Sequence, residues 1–210
     1  MRLLAIDTAA HLCAACILDT ETGERGRAVL DIGKGHAERL MAVIDAALTE
    51  AGATHADLDA IVVSVGPGSF TGVRVGVAAA RGLALALKIP TVGVTTLEAL
   101  AREAAQPGRP VVAKIEAGRG QAYVAAFSAD GVQTFGPAAL TLEDADALIR
   151  DMAGEPVVAT GRTADIATYA RLGAERLAAD APPDRPRPLY LRDADARPQD
   201  GFALPRKAAP

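Results

Sequence analysis

Residues 66–74 read Gly66-Pro67-Gly68-Ser69-Phe70-Thr71-Gly72-Val73-Arg74, directly after the apolar run Ile61-Val62-Val63-Ser64-Val65. A helical pattern follows from about Gly72 to Leu87. A buried strand feeding a glycine turn and a helix N-terminus aims backbone N–H groups and partial positive charge at whatever lies above the strand end, which is chemistry for an anion. On that reading the candidate anion or nucleotide contacts are Asp7, Thr8, Gly66, Gly68, Ser69, Thr71, Gly72 and Arg74. The other reading is a tight strand-to-helix turn that packs closely, with Ser69 or Thr71 as helix N-cap. The turn is not a P-loop, because no Gly-Lys-Ser/Thr follows and no lysine stands at the helix start. It is not a dinucleotide fingerprint either: Gly66, Gly68 and Gly72 are spaced by two and four residues, not two and three.

Two other constellations invite metal or redox chemistry. Cys13-Ala14-Ala15-Cys16 has the spacing of a redox or zinc pair, but it lies in a strand-like run, where residues three apart point to opposite faces. Both cysteines are read as small core residues. His36 has Leu40 four residues on, so a helical pair of metal ligands is excluded and no metal site is expected.

The elements that must hold these residues follow from periodicity and turn signals. Met1–Ile6, His11–Asp19 and about Gly23–Ile32 read as strands, and His36–Ala51 as a helix closed by Gly52. Ile61–Val65, the glycine turn and its helix come next, then the strand Thr91–Val94 and a helix capped by Thr95 or Thr96 that runs to about Ala105. Gln106-Pro107-Gly108-Arg109-Pro110 is a candidate domain boundary. Beyond it, Val111–Glu116, Gln121–Ser128 and about Gly131–Phe135 read as strands, Thr141 to about Met152 as a helix, Val157–Thr160 as a strand and Thr163 to about Ala179 as a helix. Strand-strand-strand-helix-strand-helix, twice over, predicts a duplicated ribonuclease-H-like α/β unit. The expected division is 1–106 as a first lobe, 107–192 as a smaller second lobe and 193–210 as a loosely held tail rich in Pro and Arg. In such a fold Asp7 and Glu116 end equivalent strands and resemble an ATPase cleft, although Ala9 and Ala10 replace the glycines of a phosphate-binding hairpin. An acid that merely caps a strand is the alternative.

The helix after the glycine turn favours packing. Gly72, Gly76 and Ala80 lie four apart and leave one face almost bare, while Val73, Val77, Leu83, Leu85 and Leu87 make it apolar on several sides. One side belongs against its own sheet; the other needs a covering helix, from His36–Ala51 or from a partner. Composition bounds the rest. The 210 residues are 50% hydrophobic but only 3% aromatic, and the net charge is −4. That balance disfavours a free-standing nucleic-acid binder. No signal-like leader and no apolar stretch approaching ~18 residues is read, which points to a cytoplasmic protein away from membranes.

The residues now fit a known family. Leu4-Ala5-Ile6-Asp7-Thr8, His36-Ala37-Glu38-Arg39-Leu40, the run from Gly66 to Leu87, and Pro188-Leu189-Tyr190-Leu191-Arg192 resemble the TsaB (YeaZ) family. Lys114–Tyr123 resembles the family's D-A-R-x-G-E-x-Y but has Glu116, Gly118 and Gln121 at three of its positions. The resemblance implies two lobes of the actin-like ATPase (ASKHA) superfamily. The second lobe is expected to be reduced, since the stretch between Ala179 and Pro186 is short. It further implies a non-catalytic scaffold of the machinery that makes N6-threonylcarbamoyladenosine at position 37 of ANN-decoding tRNAs. That scaffold pairs with the transferase TsaD, is joined by the ATPase TsaE, and meets tRNA through the complex. TsaD holds its metal with His-x-x-x-His, where this chain has Thr96 and Leu100.

The docking helices then carry His36, Arg39, Leu40, Val43, Ala47, Val73, Gly76, Val77 and Ala80 as candidate partner contacts. The same surface forms a homodimer when the partner is absent. No cofactor of the chain's own is expected, and an adenine nucleotide at the TsaD interface is the remaining candidate. The competing reading is a stand-alone actin-like ATPase or metalloprotease-like enzyme. The basic residues Arg185, Arg187, Arg192, Arg197, Arg206 and Lys207 are candidates for phosphate contacts within a complex.

Overall fold

The apolar strands assemble into two sheets in a computed structural model, which describes residues 1–179 and 184–192. The first sheet holds β1 (Arg2–Asp7), β2 (Leu12–Asp19), β3 (Gly23–Asp31), β4 (Ala60–Ser64) and β5 (Thr91–Val94) in the order β3-β2-β1-β4-β5. β2 lies antiparallel to β1 and β3, while β1, β4 and β5 run parallel. Every residue of β4 is buried, as expected of a central parallel strand covered on both faces. The second sheet repeats the scheme with β6 (Val111–Gly118), β7 (Gln121–Phe127), β8 (Gln133–Thr141) and β9 (Val157–Thr160) in the order β8-β7-β6-β9. Among the described residues it has no counterpart of β5. This is the duplicated ribonuclease-H-like architecture with a reduced second half.

Among the described residues, five α-helices complete the layers. α1 (His36–Glu50) and α2 (Phe70–Leu87) cover the outer face of the first sheet, and α4 (Leu142–Asp151) covers that of the second. α3 (Thr96–Ala104) and α5 (Ile166–Ala178) lie between the sheets in one continuous core. Each crosses over: α3, which follows the first sheet in sequence, packs on β6 and β9, while α5, which follows the second, packs on β1, β2 and β5. The shared core joins Leu3, Val62 and Val92 to Ile115, Phe127 and Tyr169, so the inner face of neither sheet is covered by its own contiguous stretch of chain alone.

Element ends follow local chemistry. Thr95 caps α3 in a capping box with Glu98, and Thr141 caps α4 by accepting from the Asp144 N–H. α5 begins at Ile166 and not at Thr163, because Asp165 is its N-cap and accepts from the Ala167 N–H at 2.9 Å. β8 extends to Thr141, well past the expected stop at Phe135. Gly136-Pro137 reads as a strand breaker, but β8 is an edge strand, and bulges against β7 absorb the pair. The stretch 180–183 and the tail 193–210, with Arg197, Arg206 and Lys207, lie outside the described residues.

α2 is 18 residues long and apolar enough to span a membrane by length and composition. This corrects the expectation that no stretch approaches that length. Here its Gly72, Gly76 and Ala80 face is buried on the sheet, and Arg74 and Arg81 lie exposed on its outer side.

Candidate functional site

The glycine turn closes on the chain's own backbone. Gly66, at φ 87°, accepts the Thr96 N–H at 2.8 Å, and the Ser69 N–H donates to the Ala9 carbonyl at 2.6 Å. Ser69 is the N-cap of α2, with its Oγ accepting from the Gly72 N–H at 3.2 Å. A Cβ at Gly68 would overlap the Ala9 carbonyl oxygen, one at Gly72 the Thr8 carbonyl oxygen, and one at Gly76 would stand 2.5 Å from Thr8 Oγ1. Thr8 Oγ1 donates to the Gly72 carbonyl at 2.7 Å. The glycines therefore seat α2 on the exit of β1. Close approach by a second backbone does occur, and that backbone is the chain's own.

Asp7 lies at the centre of this junction and is 1% exposed. Its Oδ1 accepts from the Ala9 N–H at 2.9 Å and from the Ser64 hydroxyl; its Oδ2 accepts from the Thr163 hydroxyl at 2.6 Å. Thr163 Oγ1 lies 2.9 Å from the hydroxyl of Tyr169, which is fully buried. Burial pushes the Tyr169 phenol well above its ordinary range. Both carboxylate oxygens of Asp7 thus bind protein groups, and they tie β1 to β4 and to the loop before α5. Glu116, the acid at the matching place in the second sheet, is exposed. The structure does not make these two acids an equivalent pair. Ser64, Thr163 and Tyr169 were missed in sequence because Thr163 stands 156 residues from Asp7. The available signal was the cost of an acid at the end of a strand as apolar as β1, which demands partners from somewhere.

The segment 184–192 straps across the C-terminal ends of the central strands. The Leu189 N–H donates to the Val65 carbonyl at 2.8 Å, and buried Pro186 lies against Gly93. Arg192 donates to the Gly118 carbonyl at 3.0 Å, and its guanidinium lies 5.7 Å from the centre of the Tyr123 ring. Arg74 stacks 3.5 Å above the Phe70 ring and donates from Nε to the Tyr190 hydroxyl at 2.6 Å. The expected anion contact Arg74 is thereby engaged with two aromatic rings.

The expected docking residues need correction. Leu40, Val43, Ala47, Val73, Val77 and Ala80 are buried between the helices and the first sheet, and Gly76 is buried against Thr8. His36 is 7% exposed and its Nε2 lies 3.1 Å from the Leu12 carbonyl. Of the nine, only Arg39 is exposed. The same apolar period that marks a docking helix also marks the face turned to its own sheet, and here the sheet takes it. The large exposed apolar side chains of these helices are instead Met41, Phe70 and Leu85, the last 81% exposed.

The cysteines sit on opposite faces of β2, Cys13 in the core under α1 and α2, and Cys16 in the core between the sheets. Burial pushes their thiols up to about 11 and about 12. Among the described residues no group of three or more His, Cys, Asp or Glu side chains is placed to hold a metal. Thr96 and Leu100 are both buried on α3.

Residues 31–196 match the family described as "TsaD: tRNA N6-adenosine threonylcarbamoyltransferase". An uncharacterized protein of Mycobacterium tuberculosis is 36% identical over 211 residues, covering 93% of this chain and 94% of that one. The tRNA threonylcarbamoyladenosine biosynthesis protein TsaB of Escherichia coli is 36% identical over 132 residues, 62% of this chain and 56% of its own. The solved structure of YeaZ from Pseudomonas aeruginosa superposes with a TM-score of 0.72 at 26% identity, covering 90% of this chain and 99% of that chain.

Proposed function

We propose, on the premise that this chain belongs to the TsaB (YeaZ) family of tRNA threonylcarbamoyladenosine biosynthesis proteins, that it is a non-catalytic scaffold which binds and activates TsaD. The product of that assembly is N6-threonylcarbamoyladenosine at position 37 of ANN-decoding tRNAs. One observation carries the choice of scaffold over catalyst. At the two positions where the transferase holds its metal with histidines, this chain has Thr96 and Leu100, both buried on α3. A threonine and a leucine hold no catalytic metal.

Docking runs through the outer faces of α1 and α2, packed against two helices of TsaD as a bundle. Met41 (45% exposed) and Leu85 (81% exposed) are the apolar anchors on those faces. In the absence of TsaD the same surface pairs two copies of this chain. TsaE joins the heterodimer, tRNA meets the complex as a whole, an adenine nucleotide belongs to the interface with TsaD, and the site of action is the cytoplasm. The buried junction of Asp7, Ser64 and Thr163 supports a structural role for the strand end that would face phosphate in an ATPase.

The decisive experiment reconstitutes tRNA modification with TsaD, TsaE and the threonylcarbamoyl donor, with and without this chain. Modification is expected only in its presence, and full activity without it overturns the reading. Leu85→Asp is expected to abolish co-purification with TsaD while leaving the melting temperature of the isolated chain unchanged.

A further inference from the structure

The strap 184–192 is a short segment that grips both halves of the molecule. On the first sheet, buried Pro186 lies on Gly93, the Leu189 N–H donates to the Val65 carbonyl at 2.8 Å, and the Leu189 carbonyl lies beside Gly66 of the glycine turn. At the start of α2, the Tyr190 hydroxyl accepts from Arg74 Nε at 2.6 Å, and the Tyr190 ring lies 5.8 Å from that of Phe70. On the second sheet, Arg192 donates to the Gly118 carbonyl at 3.0 Å, with its guanidinium over the Tyr123 ring. These grips cannot move independently. Pro186 and Pro188 fix their own φ angles and stiffen the stretch before Tyr190. Tyr190 and Arg192 are two residues apart, a span of at most about 7 Å, so displacing one displaces the other.

Arg192 holds a turn that needs holding. Gly118, Arg119 and Gly120 all lie in the left-handed region, at φ 70°, 54° and 70°. Arg119 carries a side chain there, a conformation that lasts where the surroundings enforce it. The carbonyls on either side of it are each taken from outside the turn: that of Gly120 by the Leu142 N–H at 3.0 Å, that of Gly118 by Arg192. We propose that the strap is a latch. Setting Tyr190 against α2 fixes Arg192 on Gly118 and orders the 118–120 turn, and releasing either end loosens the other. In the free chain Phe70 and Tyr190 are both about half exposed, so water competes for the Arg74–Tyr190 bond. On the scaffold reading above, on which this last step rests, TsaD covers the outer side of α2, shields that bond and strengthens it. Docking on the first half is then felt at the tip of the second.

Amide hydrogen exchange of the full chain, read by mass spectrometry, tests the latch. Tyr190→Ala is expected to speed exchange about tenfold at Leu189, as for loss of a hydrogen bond to a charged group, and to speed it also across the molecule at 118–123. Arg192→Ala is expected to speed exchange at 118–123 and, because coupling is reciprocal, at Leu189 and the start of α2. Exchange that changes only at the mutated end of the strap overturns the proposal. Equal acceleration in β1 and β4 marks a general loss of stability and overturns it too. With TsaD added, 118–123 is expected to slow in the wild-type chain but not in Arg192→Ala; a complex that forms and leaves 118–123 unchanged refutes the coupling to docking. If the wild-type chain does not join TsaD, the scaffold reading fails, while exchange in the free variants still decides whether the latch exists.

Discussion

In the first sheet, Gly68, Gly72 and Gly76 after β4 are there because other groups lie where a side chain would go: the backbone carbonyls of Ala9 and Thr8 at the first two and the Thr8 hydroxyl at the third. In the second, Gly120 after β6 has open space around it and is there for its left-handed backbone, at φ 70°. The strand-end acids divide the same way. Asp7 is buried and bonded on both oxygens, whereas Glu116 is exposed. The two halves share a strand order, but the first has its glycines and acid locked into a junction that the second lacks. Duplicated architecture does not imply duplicated chemistry, and the half with the more motif-like sequence spends that motif on packing.

The strongest way to break this contrast is Gly76→Leu against Gly120→Ala. The first drives a side chain into Thr8 and is expected to cost about 3 kcal/mol or more, enough to lose cooperative thermal unfolding. The second costs only about 1 kcal/mol, for an alanine forced into the left-handed region. Equal melting temperatures for the two variants would refute the distinction. The acids come next. Asp7→Ala strands the Ser64 and Thr163 hydroxyls and the Ala9 N–H, an expected loss of about 3 kcal/mol by denaturant unfolding. Glu116→Ala, at an exposed position, is expected to change stability by less than about 0.5 kcal/mol.

A smaller effect tests how the crossed helix α5 is held at its ends. The Arg27 guanidinium beside Asp165 and the Arg102 guanidinium beside Glu175 hold both carboxyls below their ordinary values of 3.8 and 4.5. A lowered pKa in the folded state means that the unfolded chain binds more protons in that range. The contribution is complete above the ordinary values and is lost as pH falls through the lowered ones. The melting temperature should therefore fall between pH 5 and pH 3, and less steeply in Arg27→Ala, with a modest size because both pairs are partly exposed. The smallest expected effect concerns the two faces of β2. Both thiols are buried and pushed to about 11 and about 12, so a thiol reagent at pH 8 should label neither cysteine in the folded chain and both in denaturant.

Much of this was legible along the chain. The helix His36–Glu50 differs by one residue from its apolar period, and the strand Thr91–Val94 coincides with it. The Thr141 cap is readable from its hydroxyl and the nearby acids, while the α3 cap is narrowed in sequence only to Thr95 or Thr96, and the structure takes Thr95. The spacing of Cys13 and Cys16 on a strand was enough to place them on opposite faces. β8 runs past Pro137 because proline breaks a central strand but not an edge one, and edge position is a property of the sheet. The expected docking residues turn inward because an apolar stripe says that a face is covered, without saying by what.

The sequence by itself determined the element order, the duplicated strand pattern and the family, since each depends on near neighbours or on motifs such as Gly66–Arg74 and Pro188–Arg192. Only the tertiary structure decided which backbone lies against the glycines, which hydroxyls reach Asp7, that α3 and α5 exchange sheets, and that Tyr190 completes the stack on Arg74. The side-chain contacts among them join residues from 57 positions apart (Asp7 and Ser64) to 156 (Asp7 and Thr163). No local period records such pairings, because they arise from burial of the whole core rather than from preferences along the chain.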